Sequence, residues 1–213
     1  MGAADETSPT AERPPRRRGG RQPTPLSLED VTAAGVAVTA RHGLEALTVR
    51  AVAAELGVTA PAVHYYIAGK RELVNRVCEE VASRIDLSVD PDASWIDQYV
   101  EIVLAMDRCF AQFPGVAARA LASTGTSRAA RRIADVVMGI LRGAGFSQSD
   151  AFALYAAAQM LFTGWLVARG LSEEGSMHPS LQAAAGEQPV TLTVADLEYA
   201  VRRLVDGFDR GRG

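Results

Sequence analysis

Hydrophobic residues recur every three or four positions along most of this sequence, which is the spacing of one face of an α-helix. The first such stripe consists of Val31, Ala34, Gly35 and Val38. Before it, Ser27-Leu28-Glu29-Asp30 resembles a helix-capping box, with Asp in place of Glu or Gln at its last position. Gly43 follows the stripe and is a favoured helix terminator. The pattern predicts a first helix between Ser27 and Gly43.

Two short helices are predicted next. Thr48 can cap a helix that ends at Gly57 and whose buried face is formed by Val49, Val52, Ala53 and Leu56. Thr59 can cap the following helix, in which Pro61 is tolerated because a first-turn N–H has no intrahelical partner. Two short helices joined at a glycine form a helix-turn-helix. The same arrangement also occurs as plain structure without a DNA-binding role.

The remaining pattern predicts further helices and no strand. A fourth helix begins near Lys70, and Asp90-Pro91-Asp92 is a plausible boundary after it. Later helices are predicted over about 95–110, 127–142, 150–169 and 194–208, with a break at Pro114-Gly115 and a long loop over 170–190. The helix over 150–169 is apolar nearly all round, which favours burial against another subunit. The fold class is therefore all-α.

The predicted organisation has three parts. Residues 1–25 are rich in Pro, Gly and Arg and are expected to form a flexible arm. Residues 26–72 are expected to form a three-helix domain that contains the helix-turn-helix, and residues 73–213 a second helical domain.

Charge is unevenly distributed along the chain. The net charge of −3 argues, taken alone, against nucleic-acid binding. However, residues 11–21 hold five arginines against one glutamate, and residues 41–76 hold five basic residues against three glutamates. Basic charge is thus concentrated in the arm and around the predicted helix-turn-helix.

Other functional classes find little support. The N-terminus lacks the apolar stretch of a secretory signal and the purely apolar runs are short, which predicts a cytoplasmic protein without a membrane span. Cys78 and Cys109 lie in apolar helical patterns without CxxC spacing, as buried reduced thiols do; a redox sensor is the alternative. The three histidines form no catalytic motif, and no metal-ligand spacing or phosphate-binding loop occurs, so neither an enzyme nor a cofactor is predicted.

Three consecutive ring side chains, His64, Tyr65 and Tyr66, cannot all face one core, because successive helix residues point about 100° apart. Val63 and Ile67 are four apart and can form the buried side. Tyr and His can then donate to DNA phosphates or pack on thymine methyl groups, and helix N-termini attract phosphate oxygens. The DNA-contacting residues predicted on this surface are Thr48, Arg50, Thr59, Ala60, Ala62, His64, Tyr65, Tyr66 and Lys70.

From residue 31 to about 79 the chain resembles the N-terminal domain of the tetracycline-repressor (TetR) family of transcriptional regulators. The matching features are a helix ending at Gly43, the Leu-Thr-x-Arg and Leu-Gly-Val segments, and the spaced residues Pro61, Val63, Tyr66, Lys70 and Leu73. Proline in the first turn of the recognition helix and the aromatic cluster make it similar to the subgroup nearest the tetracycline repressors.

The resemblance implies a role for each matching position. Thr48 and Arg50 match positions that contact phosphate and base, and Tyr66 and Lys70 match phosphate contacts. Positions of the base-contacting face are matched by Ala60, Ala62, His64 and Tyr65. Three departures matter: the two alanines are shorter than the usual polar residues, His64 replaces the commoner Tyr, and Gly69 replaces the usual Asn or Ser cap before Lys70. Half-burial of Tyr66, with only its hydroxyl reaching phosphate, is the alternative for that residue.

For the second domain, the resemblance implies a homodimer that encloses a small-molecule effector and binds double-stranded operator DNA. Dimerisation is expected through the helices at about 150–169 and 194–208. Candidate ligand contacts are Trp95, Tyr99, Met106, Phe110, Met138, Met160, Phe162 and Trp165, with ordinary core packing as the alternative. The predicted function is a repressor released from its operator by an effector. The alternatives are a helical dimer acting through protein contacts and a DNA binder without ligand control.

Overall fold

A computed structural model describes residues 25–121, 127–173, 178–186 and 191–211. Within these ranges the chain forms helices and turns and no strand, as predicted. The helices are α1 (Leu28–His42), a 3₁₀ helix (Leu44–Ala46), α2 (Val49–Leu56), α3 (Ala60–His64), α4 (Lys70–Ser83), α5 (Trp95–Ala111), α6 (Val116–Leu121), α7 (Arg128–Gly143), α8 (Gln148–Glu173), α9 (Pro179–Ala185) and α10 (Val194–Arg210). The predicted arm lies, apart from its last residue, outside the described residues.

The first helix begins at a capping box, as the sequence predicted. The amide of Asp30 donates to the Ser27 hydroxyl at 3.0 Å, and the amide of Ser27 donates to the Asp30 carboxylate at 2.8 Å. Hydrogen bonds from Ser27 also lower the pKa of the Asp30 carboxyl. Gly43 ends the helix with a positive φ of 75°. Asp therefore closes this box as Glu does in the common form.

Helices α1 and α4 pack closely because a glycine faces the contact. A Cβ atom at Gly35 would lie 2.7 Å from Cγ2 of Val77, closer than two carbon atoms can approach without displacement. Leu73 and Val77 of α4 are fully buried on this side. Glycine at position 35 thus permits the close approach of α1 and α4.

The second half of α4 packs against the C-terminal helices, contacting α5, α6 and α7. Its buried residues Val81 and Cys78 lie here, and the thiol of Cys109 on α5 contacts the carbonyl oxygen of Val81 at 3.4 Å. Around this contact, α5 packs on α7 and α10, and α8 packs on α6, α7 and α10. The predicted domain boundary between residues 72 and 73 stays a prediction. It falls within α4, which contacts α1 as well as α5, α6 and α7.

Two short helices were not predicted. Val116–Leu121 forms α6 directly after the Pro114-Gly115 break, and it is too short to show a helical period. The loop predicted over 170–190 was wrong in part, because α8 continues through Gly170 to Glu173 and α9 occupies Pro179–Ala185. A single glycine inside a long apolar helix weakens it without ending it.

By length and composition, Gln148–Gly170 within α8 could cross a membrane, which the short apolar runs had not predicted. A third of this window is buried inside the protomer, and the core helix of a non-membrane protein passes the same test. Arg169 at its end forms an ion pair with buried Asp107 of α5.

Candidate DNA interface and ligand cleft

Local hydrogen bonding explains how the sequence builds the helix-turn-helix of α2 and α3. The amide of Ala51 donates to the Thr48 hydroxyl at 3.0 Å, which confirms Thr48 as the cap of α2. Gly57 adopts a left-handed conformation with φ 66° and ψ 29°, and this turns the chain toward α3.

Thr59 occupies the cap position of α3, but the predicted side-chain hydrogen bond is absent there. A capping oxygen accepts from the second or third amide of a helix. At the second position stands Pro61, which has no N–H, and the amide of Ala62 at the third donates to the backbone carbonyl of Thr59 at 3.0 Å. The Thr59 side chain is exposed.

The third helix ends at His64, so Tyr65, Tyr66 and Ile67, which were predicted within it, lie in the segment that follows. The helix and this segment together separate buried from exposed side chains. Val63 and Ile67 are 0% and 2% exposed, as predicted for the core side. Tyr65 is 85% exposed, and His64 beside it is also exposed. Covering so exposed a ring against a partner removes apolar surface from water, which is favourable.

Tyr66 has a different environment from Tyr65. Its ring is half-buried and meets the Tyr65 ring edge-on, with centroids 5.0 Å apart. The hydroxyl of Tyr66 donates to the backbone carbonyl of Leu26, just before α1. The hydroxyl proton of Tyr66 is therefore used in a hydrogen bond within the protein and does not point outward toward a DNA phosphate.

The start of α4 is stabilised from within the helix. Gly69 precedes it with φ 141° and provides no side-chain cap, so the carboxylate of Glu72 accepts the Ala68 amide at 2.7 Å instead. That hydrogen bond and a second one from Arg76 at 2.8 Å lower the pKa of the Glu72 carboxyl. Lys70 is left exposed at the first helical position.

The predicted DNA-contacting residues are therefore mostly accessible. The exposed members are Thr48, Arg50, Thr59, His64, Tyr65 and Lys70. Ala60, Ala62 and Tyr66 are half-buried. The contacts themselves stay a prediction.

A cleft of about 1000 Å³ lies between α4 and helices α5 to α8, reaching the start of α1. Its apolar surface comes from Met106 and Phe110 on α5, Ile133 on α7, and Tyr155 on α8. Gln159, one turn after Tyr155, adds an amide. Its size suits a drug-sized organic molecule.

Only two of the eight candidate ligand contacts line this cleft, namely Met106 and Phe110. The other six lie elsewhere: Tyr99, Phe162 and Trp165 are buried in the core, Met138 is half-buried against it, Trp95 packs edge-on against Phe146 at 5.0 Å, and Met160 is 70% exposed. The sequence analysis did not identify Tyr155 and Gln159 as lining residues. The feature that could have indicated them is their spacing of four, which places two polar groups on one face of an otherwise apolar helix.

Polar residues of α4 form one wall of the cleft and contact the C-terminal helices. We call Asn75, Glu79 and Ser83 the α4 polar stripe, because they are spaced four apart on one face. Arg119 of α6 donates to the Asn75 side chain at 2.8 Å, and the Ala129 amide of α7 donates to the Glu79 carboxylate at 2.8 Å.

The third member of the stripe contacts α7 through its backbone. The guanidinium of Arg132 donates to the carbonyl oxygens of Ser83 and Ile85 at 2.8 and 2.9 Å. Each position of the stripe thus connects α4 to a helix of the cleft.

The two cysteines are free and buried, as predicted. Cys78 lines the cleft and Cys109 lies between α4 and α5. Burial raises the pKa of both thiols, which keeps them protonated and poorly nucleophilic. Within the part of the chain that the structure describes, no group of three or more His, Cys, Asp or Glu residues could hold a metal ion.

Helices α8 and α10 expose apolar side chains. Phe152, Met160 and Val167 of α8 are 64%, 70% and 57% exposed, and their spacing brings them toward one side of the helix. Tyr199 of α10 is 63% exposed, with the Arg203 guanidinium 5.1 Å from its ring centroid. These residues form an unpartnered apolar face on the protomer.

Comparisons with known proteins agree with this geometry. Residues 31–77 match the family described as bacterial regulatory proteins, tetR family. The chain is 28% identical to tetracycline repressor protein class A from transposon 1721 of Escherichia coli, over 87% of this chain and 82% of that protein. Two other curated regulators align over 30% and 59% of their own lengths, so the chain spans less than two thirds of each.

Solved structures share the fold. BioQ, crystallised with its natural double-stranded DNA operator, is 25% identical with a TM-score of 0.64, over 86% of this chain and 98% of BioQ. ActR of Streptomyces coelicolor, in complex with (S)-DNPA, is 18% identical with a TM-score of 0.67, over 88% and 99%. The helix-turn-helix is joined through α4 to a second helical unit, and the chain shares this all-helical arrangement with BioQ. The chain is thus similar to bacterial regulators of the tetR family, in sequence over residues 31–77 and in fold over most of its length.

Proposed function

We propose that this protein is a cytoplasmic transcriptional repressor that binds operator DNA as a homodimer and leaves it when a small molecule occupies the cleft. The observation that carries the proposal is the contrast between Val63 of α3, which is fully buried, and Tyr65 directly after α3, which is 85% exposed. A large ring held in water beside exposed cationic and hydroxyl side chains suits the major groove and its flanking phosphates.

The DNA contacts are assigned from exposure and chemistry. Tyr65 and His64 face the base edges, and Thr48, Arg50 and Lys70 face phosphates, where hydroxyl and cationic groups bind without sequence preference. Ala60 and Ala62 offer only methyl groups, so much of the sequence preference falls to Tyr65. BioQ, which shares the fold, was solved on its operator, and this supports the assignment.

Dimerisation through α8 and α10 follows from their exposed apolar face. A second copy packed on this face removes from water the largest exposed apolar side chains of these helices, namely Phe152, Met160, Val167 and Tyr199. A two-fold dimer presents two α3 helices to half-sites about 34–36 Å apart, one DNA turn.

Ligand control rests on the cleft beside α4. ActR was solved with a bound small molecule, and the relative from transposon 1721 is named for tetracycline. A ligand that binds one orientation of α4 more tightly shifts the population, and an almost complete shift takes about 5.5 kcal/mol of differential affinity.

The test is a fluorescence-anisotropy titration of the full chain against DNA flanking its own gene, beside scrambled DNA, at rising salt. We expect selective binding that weakens with salt and falls at least about tenfold with Tyr65→Ala. Leu181→Ala, a change of an exposed apolar residue on α9, is the matched control and should bind as the wild type does.

Equal weak binding to both DNAs, unchanged by Tyr65→Ala, would overturn the DNA-binding proposal and favour a helical dimer acting through protein contacts. Selective binding that no small molecule reverses would leave a repressor without ligand control.

A further inference from the structure

The cleft carries positive charge that the protein does not neutralise. Three of its lining residues are Arg119, Arg128 and Arg132, and no carboxylate of the described residues forms an ion pair with any of them. Arg119 donates to the neutral amide of Asn75, and Arg132 donates to backbone carbonyl oxygens. Hydrogen bonds to neutral acceptors leave the charge of a guanidinium in place.

Most of the glutamates that line the same cleft already have a bonding partner within the protein. Glu72 is paired with Arg76 at 2.8 Å, and Glu80 is paired with Arg84 at 3.1 Å. Glu79 accepts the Ala129 amide, which leaves Glu29 at the start of α1 as the remaining carboxylate of the lining. Three guanidinium groups have no ion-pair partner among the described residues, and only the carboxylates of Glu29 and Glu79 oppose them. The cleft therefore carries a net positive charge.

Most of the apolar surface lies on other helices than the arginines, with Ile133 of α7 as the exception. The arginines come from α6 and the first five residues of α7, whereas Met106 and Phe110 come from α5 and Tyr155 from α8. Burial raises the pKa of the Tyr155 hydroxyl, so it stays a neutral hydrogen-bond donor near pH 7. These surfaces suit an occupant with an aromatic or fused-ring part and a negatively charged end.

We propose that the effector of this protein is an aromatic organic anion, with its ring on Met106, Phe110 and Tyr155 and its carboxylate or equivalent group between Arg119 and Arg128. The identification of the cleft as the effector site rests on the proposed function. The class of ligand rests on the residues that line it.

Binding of this kind also supplies a route to α4. Arg119 is the residue of α6 that donates to the α4 polar stripe, at Asn75. A ligand anion competes with the Asn75 amide for the same guanidinium, and charged acceptors bind it more strongly than neutral ones. Withdrawal of Arg119 removes a contact that fixes α4, the helix that begins six residues after α3 ends.

The experiment uses three probes with one ring system: 1-naphthoate, 1-naphthylmethanol and 1-naphthylmethylamine. Calorimetric titration of the full chain without DNA should show naphthoate binding at least about tenfold more tightly than the alcohol, with the amine weakest. In the Arg119→Gln, Arg128→Gln double variant, naphthoate should bind no more tightly than the alcohol, whose own affinity stays near the wild-type value.

Two further variants separate charge from structure. Arg131→Gln removes an exposed guanidinium of α7 that lies outside the cleft, and it should retain the preference for naphthoate. Arg119→Lys should retain part of the preference, because it keeps a positive charge while losing the planar fork. Thermal melts of all variants check that each is folded.

Equal affinity for the three probes, a preference for the amine, or binding of none of them would overturn the proposal. If the double variant still prefers naphthoate to the alcohol, Arg119 and Arg128 are not the anion site. Arginine-dependent naphthoate binding that leaves operator DNA bound would instead count against ligand control in the proposed function and leave the ligand class intact.

Discussion

The backbone N–H of Leu44 donates to the carbonyl oxygen of Pro114 at 2.9 Å, which joins the 3₁₀ helix after α1 to the turn between α5 and α6. Gly115, next in the chain, has φ 84°, and a Cβ atom there would lie 3.1 Å from that of Leu44. The helix-turn-helix unit is thus held to the C-terminal helices here as well as through α4. Glycine at 115 permits this contact both by its conformation and by its size.

Gly115→Ala should lower the free energy of unfolding by about 1–2 kcal/mol, because an L-residue is strained at this φ and its methyl group meets Leu44. Urea denaturation measures the change. Gly139→Ala is the control, since Gly139 lies within α7 with open space around its Cα. That change should raise stability by about 0.5–1 kcal/mol. Equal effects at both positions would contradict this account of Gly115.

Asp107→Ala should lower the free energy of unfolding by about 3–5 kcal/mol, because Asp107 is 2% exposed and accepts hydrogen bonds from both Trp165 and Arg169. The exposed pair of the adjacent Arg108 with Glu101 gives the comparison. Arg108→Ala should cost less than about 1 kcal/mol. A loss below about 1 kcal/mol for Asp107→Ala would show that this buried pair contributes no more than a surface pair.

The sequence did not reveal Asp107, and the reason is physical. Its partners Trp165 and Arg169 come 58 and 62 positions later in the chain, so no local period links them. The capping box of Ser27 and Asp30 was predictable because its partners are three residues apart. Local hydrogen bonding and helical period thus determine the elements, while tertiary packing determines which polar residues meet.

The same distinction applies to the candidate site. Val63 and Tyr65 were assigned correctly to the buried and exposed sides, because Tyr65 directly follows α3 and keeps helical backbone angles, which fixes the rotation between the two residues. Placement in the cleft depends on how α5, α7 and α8 pack, and Met160 therefore faces outward although Met106 lines the cleft. Arg119 and Arg128 carried no periodic signal because they lie at or near helix ends.

Tyr66→Phe should lower the free energy of unfolding by about 0.5–1.5 kcal/mol, because it removes the hydrogen bond to the Leu26 carbonyl and keeps the ring. Thermal or urea denaturation measures this loss. Operator affinity should change much less than with Tyr65→Ala. A variant with wild-type stability and strongly reduced DNA binding would instead make the Tyr66 hydroxyl a phosphate contact.

Asp97 should make stability depend on pH in the acidic range. A hydrogen bond from Ser94, and then the ion pair with Arg202, lower the pKa of this carboxyl below its ordinary value of 3.8. The folded state therefore favours the ionised form. The stabilisation is complete above the ordinary pKa and is lost as the pH falls through the lowered value.

Urea unfolding of the wild type and Asp97→Asn, compared at pH 7 and at about pH 3, checks this dependence. The stability difference between them should be larger at pH 7. Asp135→Asn, which changes an exposed carboxylate on α7 for which the structure gives no bonded partner among the described residues, is the control. A constant difference for Asp97→Asn would remove Asp97 from this role.

Helix α4 has Leu73 and Val77 in the core it shares with α1, and Val81 in the core it shares with α5. Neither core is complete without α4, so the two parts should melt in one cooperative transition and exchange amide protons at similar rates near α4. Occupation of the cleft should therefore raise the melting temperature of α3 as well, although no residue of α3 lines the cleft.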